Sequence, residues 1–325
     1  MILPPYAAPR WLPGGHAQTI WPLLRKGPLP AYRRERWDTP DGDFIDLDWL
    51  AGAPSRFAAP LVVLFHGLEG SSRSHYARTL MRAAQERGWR GVVVHFRGCS
   101  GTPNRLSRAY HSGDAAEIDW ILRRLRGAVP AAPLFAAGVS LGANALLKWL
   151  GEQGAAASAV VNAAAGVSAP LDLAAANAAL AHGFGRVYAR HFLRTLIPAA
   201  LAKLARFPGL FDPERARAAC TLYDFDDAVT APLHGFRGAA DYYARASARQ
   251  YLRGIAVPTL VLNARNDPFL PAAALPAAAD IAAAVTLELT DQGGHVGYVG
   301  GAFPGTLNWM PERLLEHFGS MADMR

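Results

Sequence analysis

Residues 134–148 read LFAAGVSLGANALLK. An apolar run, Leu134 to Gly138, leads into a G-x-S-x-G pattern centred on Ser140, and the following ANALLKWL places apolar residues at helical spacing. A buried strand that turns sharply into a helix is the arrangement a nucleophile elbow needs. Glycine on both sides of the serine fits a turn so crowded that side chains there would strike the neighbouring strand and helix. The same five residues also describe a tight connection carrying an inert serine. Their surroundings separate the two readings.

Working outward, the chain alternates strand and helix. LVVLFHG (61–67) is a continuous apolar run, as in a strand covered on both faces. SHYARTLMRAAQERG (74–88) has helical periodicity and a terminal glycine; then come GVVVHF (91–96), GDAAEIDWILRRLRG (113–127), the elbow segment, and a strand expected over ASAVVNAAAG (157–166). Repeated βα units imply a mostly parallel twisted sheet flanked by helices. Upstream, RERWDTPDGDFIDLDWL (34–50) alternates about PDGD, the pattern of an antiparallel hairpin at a sheet edge.

The rhythm breaks between Pro170 and Gly254, a stretch rich in aromatics and arginine with helical composition. Strand patterns resume in PTLVLNARND (258–267) and AVTLELTDQGGH (284–295), and PGTLNWMPERLLEHF (304–318) ends the chain on an amphipathic helix. The expected division is an α/β core of residues 1–169 and 255–325, interrupted by a helical cap at 170–254. The cap's leucines and aromatics, from Phe184 to Tyr251, read as cap core ahead of the alternative, an acyl tunnel.

Two further polar residues fall where such a sheet keeps its active site, beyond the C-terminal ends of strands. Asp267 follows LVLNARN, although Asn-Asp-Pro is also a turn signal; His295 follows a strand among glycines, a setting that reads as too flexible for a packed core histidine. The order Ser140, Asp267, His295 is the one expected of a serine triad in an α/β-hydrolase fold. In that scheme His295 is the general base and Asp267 holds its tautomer. The backbone N–H groups of Leu141, after the serine, and Leu68, in HGLEGSS, are the expected oxyanion donors. His66, just before that loop, reads as a residue that shapes it.

Arg97 in HFRGCSG, and His111 and Asp114 in YHSGD, belong to loops near the same sheet edge; structural support by ion pairing outweighs direct chemistry for them. The histidines at 66, 75, 95 and 111 lack metal-ligand spacing, and HGLEGSS has neither a Walker lysine nor GxGxxG spacing. No metal or cofactor is expected. The net charge of +7 comes almost entirely from scattered arginines, with lysine only at 26, 148 and 203, so no nucleic-acid footprint is expected. Two cysteines are too few for a disulfide framework, no signal peptide or ~20-residue apolar span is visible, and a cytoplasmic location follows as the expectation. A peripheral membrane contact stays open, as does oligomeric state.

The set GGHAQTIWP, HGLEGSSRSHY, HFRGCSGTPN, YHSGD, GVSLGAN, DDAVTAPLHGF, NARNDPF and GGHVGY resembles the YheT-like branch of the α/β-hydrolases, related to ABHD-type lipases and bacterial esterases. The resemblance runs from about Trp11 to Phe318. It implies hydrolysis of carboxylic esters, with Ser140, Asp267 and His295 at the family's triad positions and the cap lying over the site. One departure is His95, where the family pattern has asparagine. No H-x-x-x-x-D acyltransferase signature is present near the motif histidines. Two alternatives remain beside ester hydrolysis by an acyl-enzyme: an acylglycerol hydrolase or thioesterase with the same triad, and a binding protein on a hydrolase fold.

Overall fold

Helix α1 (Gly15–Leu24) precedes strands β1 (Tyr32–Asp38) and β2 (Phe44–Leu50), which pair antiparallel about a turn at 39–42. The βα alternation then runs through β3 (Leu61–Phe65), α2 (His75–Glu86), β4 (Arg90–His95), α3 (Ala115–Ala128), β5 (Leu134–Val139), α4 (Leu141–Gln153) and β6 (Ala163–Val167). Next come α5 (Leu173–Ala181), α6 (Gly185–Arg206), α7 (Pro213–Ala218), α8 (Leu222–Phe225), a π turn at Asp226–Thr230, α9 (Ala231–Leu233), α10 (Ala239–Ala246) and a 3-10 turn at Ala248–Gly254. Strands β7 (Thr259–Ala264) and β8 (Val285–Thr290) and helix α11 (Trp309–Ala322) complete the chain. This computed structural model describes residues 3–25, 27–52 and 58–322; the outermost ends of the expected core, 1–2 and 323–325, lie outside the described residues.

The sheet order is β1-β2-β4-β3-β5-β6-β7-β8. Every pair from β4 to β8 is parallel, and the β1–β2 hairpin supplies the antiparallel edge. The continuous apolar runs follow from burial on both faces. In β3, Leu61, Val63 and Phe65 join a cluster with Ile118, Leu122 and Leu125 of α3 and Leu146 of α4, whereas Val62 and Leu64 join Leu80 and Met81 of α2 and Leu314 and Phe318 of α11. Alternate side chains thus enter opposite layers, and a polar residue at either parity would face a helix. Each fully buried leucine or valine here contributes about 1.5–3 kcal/mol relative to exposure.

The strand expected over 157–166 is shorter than the apolar pattern suggested. Residues Gly154–Ala159 form a 3-10 turn, and only Ala163–Val167 pair with β5. Asn162 marks the entry: its Oδ1 accepts the Leu134 N–H at 2.8 Å and a bond from Arg126, so Val160 and Val161 are buried in the approach to the strand.

Among the described residues, no strand falls between Pro170 and Gly254. Its helices bury a cluster of their own, in which Tyr188, Leu193, Leu222, Phe225 and Val229 meet Phe269 from the loop after β7. The 3-10 turn at its end packs elsewhere, with Ala248 and Leu252 in the main core beside α4. The helical segment is therefore anchored at one end to the sheet's own layer, and its body lies over the C-terminal ends of β5 and β7.

Candidate active site

The elbow is strained as the sequence anticipates. Ser140 has φ 52° and ψ −118°, in the positive-φ region that L-residues rarely occupy. Its N–H is held by Val167 O at 2.9 Å, which ties the turn to β6. A Cβ at position 138 would come within 2.6 Å of Ala143 Cα, and one at 142 within 2.5 Å of the carbonyl oxygens of Phe65 and His66. Close backbone approach by α4 and by the end of β3 excludes side chains on both sides of the serine.

Ser140 Oγ lies 2.9 Å from His295 Nε2, and His295 Nδ1 lies 2.9 Å from Asp267 Oδ2. The other carboxylate oxygen of Asp267 accepts the Phe269 N–H at 2.7 Å, so both oxygens are directed. Phe269 stacks on the imidazole with ring centroids 4.0 Å apart. Residues 140, 267 and 295 are thus joined by one chain of hydrogen bonds.

The histidine loop is not the loose setting its glycines suggested. Consecutive N–H groups are all bonded: Gly293 to Gln18 Oε1, Gly294 to Asn266 Oδ1, His295 to Thr19 Oγ1 and Val296 to Ser168 Oγ, at 2.8–3.0 Å. The glycines serve close packing. A Cβ on Gly294 would lie 2.6 Å from Gly15 O, and one on Gly297 would lie 2.4 Å from Gln18 O. Helix α1 is therefore pressed against the loop, and fully buried Gln18 also accepts from Asn266 Nδ2 at 3.0 Å, joining the loops of Asp267 and His295. Residue-by-residue reasoning missed Gln18, Thr19 and Asn266; the signal for them was the family resemblance, through GGHAQTIWP for Gln18 and Thr19 and NARNDPF for Asn266.

Leu141 is the first residue of α4, where an N–H has no intrahelical partner. Leu68 sits in a turn closed by the Gly70 N–H to Gly67 O, and the turn abuts the serine: a Cβ on Gly67 would be 3.1 Å from Ser140 Cβ. His66 spans the loop base, with Nδ1 2.8 Å from Gly67 O and Nε2 accepting the Phe96 N–H at 3.2 Å. Burial, with nearby His95 adding to it, pushes its imidazole down to about 3, so it stays neutral.

The polar loop residues divide. Arg97, on the cavity wall, bonds Asp41, Asp43 and Glu117 at 2.8, 3.1 and 2.6 Å, and Asp114 pairs with Arg108; these ion pairs shape the loops around the cavity. His95 Nε2 lies 2.9 Å from Asp48 Oδ2, and Arg34 and Ser72 also bond that carboxylate. His111 also lines the cavity and forms no ion pair among the described residues. Among the described residues no group of three or more His, Cys, Asp or Glu could hold a metal ion, and no helix is long and apolar enough to cross a membrane.

Ser140, Leu141, Leu68 and His295 open on a cavity of ≈ 340 Å³. Much of its wall is apolar and comes from the helical segment, including Leu180, Phe192, Leu196, Phe225 and Val229. Phe225 and Val229 also belong to that segment's own packed cluster, with Phe192 and Leu196 against it. Cap core and cavity wall, set as alternatives by the sequence, are here the same residues seen from two sides.

Residues 60–302 match the family model described as alpha/beta hydrolase fold. YheT of Escherichia coli (strain K12), provisionally named an esterase, is 42% identical over 303 residues, covering 92% of this chain and 88% of the relative. Phospholipase ABHD3 of Mus musculus is 30% identical, covering 95% and 76%. Among solved structures, a Pyrococcus furiosus esterase superposes with a TM-score of 0.55 at 15% identity, over 99% of this chain and 98% of its own, a likeness of fold alone. The chain belongs to the α/β-hydrolase fold family and, within it, to the YheT-like group related to the ABHD3 phospholipases.

Proposed function

We propose that the protein hydrolyses carboxylic esters through an acyl-enzyme on Ser140. The observation that carries this reading is the unbroken hydrogen-bond chain Ser140–His295–Asp267, with its serine on a strained elbow facing a largely apolar cavity. His295 Nε2 takes the Ser140 proton as Oγ attacks the acyl carbon, then returns it to the leaving oxygen. Water enters the same position, gives its proton to His295, attacks the acyl carbon, and releases the acid and free serine. Asp267 keeps the proton on Nδ1 and stabilises the imidazolium formed at each step.

The N–H groups of Leu141 and Leu68 receive the tetrahedral oxyanion in this scheme. Losing one such donor typically costs about 2.7–4 kcal/mol of transition-state stabilisation, so the Leu68 turn is worth about 10²–10³ in kcat. The names of the relatives, an esterase and a phospholipase, support an ester substrate. An apolar wall beside the serine favours an apolar acyl group, which keeps acylglycerol or thioester hydrolysis by the same residues as the second reading.

The test is turnover of p-nitrophenyl esters from acetyl to palmitoyl by wild type and a folded Ser140→Ala variant, with fluorophosphonate labelling of the serine. The expected result is loss of turnover and label together. Equal turnover in both proteins would remove the assignment, and a protein that neither turns over nor labels would be a binding protein on this fold.

A further inference from the structure

Two segments that the triad leaves unused meet on the cavity wall. His111 comes from YHSGD, the loop before α3, and His234 from DDAVTAPLHGF, just beyond α9. Their rings lie 4.5 Å apart, and both line the cavity that holds Ser140 and His295. Phe236 and Tyr242 meet the His111 ring edge-on at 5.5 and 5.8 Å and fix its plane. Nε2 of His234 is enclosed and has no hydrogen-bond partner. A second enclosed, unpartnered atom on the cavity wall is Oδ1 of Asn177, from α5. Buried polar atoms are nearly always satisfied, so orphans on residues that line a cavity point to a group that reaches them when the cavity is filled.

The charged residues of the wall are already engaged. Lys203 Nζ donates to Asn104 Oδ1 and to the carbonyls of Leu106 and Arg108 at 2.7–3.1 Å, which uses its three donors. Arg206 bonds the carbonyls of Asn104 and Arg105, and Arg97 bonds three carboxylates. Glu69 accepts from the Tyr110 hydroxyl; Asp226 accepts from Thr230 and Tyr243 at 2.6 and 2.7 Å. None of these charged groups bonds His111 or His234.

The histidine pair itself is neutral. Burial pushes His111 down to about 4 and His234 to about 3, with neighbouring cations and the second imidazole adding to the effect on His234. The Gly113 N–H donates to His111 Nδ1 at 3.2 Å, which places the His111 proton on Nε2. One ring thus offers a donor and the other an unclaimed nitrogen. An alcohol hydroxyl, both donor and acceptor, satisfies the two in either tautomer of His234; a carbonyl does so only in the tautomer with the proton on Nε2, and an alkyl group in neither.

We propose that His111 and His234 form a subsite for an alcohol hydroxyl of the substrate, so that the natural ester is hydroxylated rather than plain alkyl. The hydroxyl oxygen accepts from His111 Nε2–H, and its proton is directed to Nε2 of His234. This rests on Ser140 and His295 being the reacting end of the same cavity. The hydroxyl could lie in the leaving alcohol or in the acyl group; the chemistry is shared, and two substrate pairs tell them apart.

The experiment compares kcat/KM for glyceryl monobutyrate against propyl butyrate, and for p-nitrophenyl 4-hydroxybutyrate against p-nitrophenyl butyrate. Wild type should prefer the hydroxylated member of one pair by about 10-fold or more, because a site built to bond a hydroxyl discriminates strongly against its absence. His234→Phe and His111→Phe should bring that ratio close to 1, and His234→Asn, which keeps a hydrogen-bonding end, should retain part of it. The ratio is read within each variant, so a loss of activity common to both esters does not enter. Wild type without preference in either pair, or an unchanged ratio in both Phe variants, overturns the subsite. Failure of the triad is a separate result: turnover that survives Ser140→Ala.

Discussion

The hydroxyl of Thr19, in helix α1, accepts the backbone N–H of His295 at 2.8 Å across 276 positions of sequence. It also donates to Gly15 O at 2.7 Å, so one side chain fastens the imidazole's own peptide to the helix. Thr19→Val keeps the shape and removes the acceptor, leaving a part-buried N–H unpaired at a cost of about 1–3 kcal/mol. If some of that cost appears as a displaced imidazole, kcat should fall about tenfold, since about 1.4 kcal/mol of barrier is a factor of ten. KM should change little, and Thr19→Ser should restore kcat. Steady-state kinetics with one p-nitrophenyl ester decides it; a Thr19→Val enzyme with normal kcat would show that the loop is held without α1.

Ser140 gives a stability prediction from backbone alone. At φ 52° a residue with Cβ is strained, and glycine is not. Ser140→Gly should therefore be more stable than Ser140→Ala, by about 1 kcal/mol, even though both lack the nucleophile. Thermal or urea unfolding of the two variants measures the difference. Equal midpoints would mean that the surrounding bonds, such as Ser140 N–H to Val167 O, impose no strain.

These two residues also mark what could be read from sequence and what could not. The elbow was legible because its cause is local: strand, glycine, serine, glycine and helix lie within fifteen residues. Asp267 and His295 were legible because each follows a strand pattern whose sheet position is constrained. The hold of Thr19 and Gln18 on the histidine loop was not, because nothing near position 19 indicates which loop α1 will meet. The glycines around His295 read as flexibility, yet they answer to the close approach of Gly15 and Gln18, a tertiary fact. The run ending at Gly166 misled about strand length because burial, rather than pairing, keeps Val160 and Val161 apolar. His111 and His234 lie in separate motifs 123 positions apart by numbering, and only the helical segment's path brings them together.

Asp226 sets a pH dependence. Its carboxylate is enclosed, and burial raises it from 3.8 to about 6, only partly offset by bonds from Thr230 and Tyr243. A raised carboxyl contributes stability that is fully present below its unfolded value and lost as pH rises through the folded one. Stability should thus decline between about pH 4 and 6, by up to about 3 kcal/mol before screening by cavity water. Asp226→Asn removes the charge and keeps one acceptor. It should raise the melting temperature relative to wild type at pH 8 and not at pH 4; a pH-independent difference would place the cause in the lost bonds instead.

Leu196 tests which part of the cavity receives the acyl chain. It lines the wall from α6 and is only partly buried, so a larger side chain can grow into the cavity without overfilling the cluster around Leu193. Each methylene in an apolar pocket is worth about 1–3 kcal/mol of discrimination. Leu196→Trp should accordingly lower kcat/KM for decanoyl esters by at least about tenfold while acetyl esters change within about threefold. Leu196→Ala should shift the optimum toward longer chains. The measurement is kcat/KM across p-nitrophenyl esters from acetyl to palmitoyl for the three proteins. A uniform drop at every chain length in Leu196→Trp would mean that the acyl group runs along another wall and that α6 contacts the leaving alcohol.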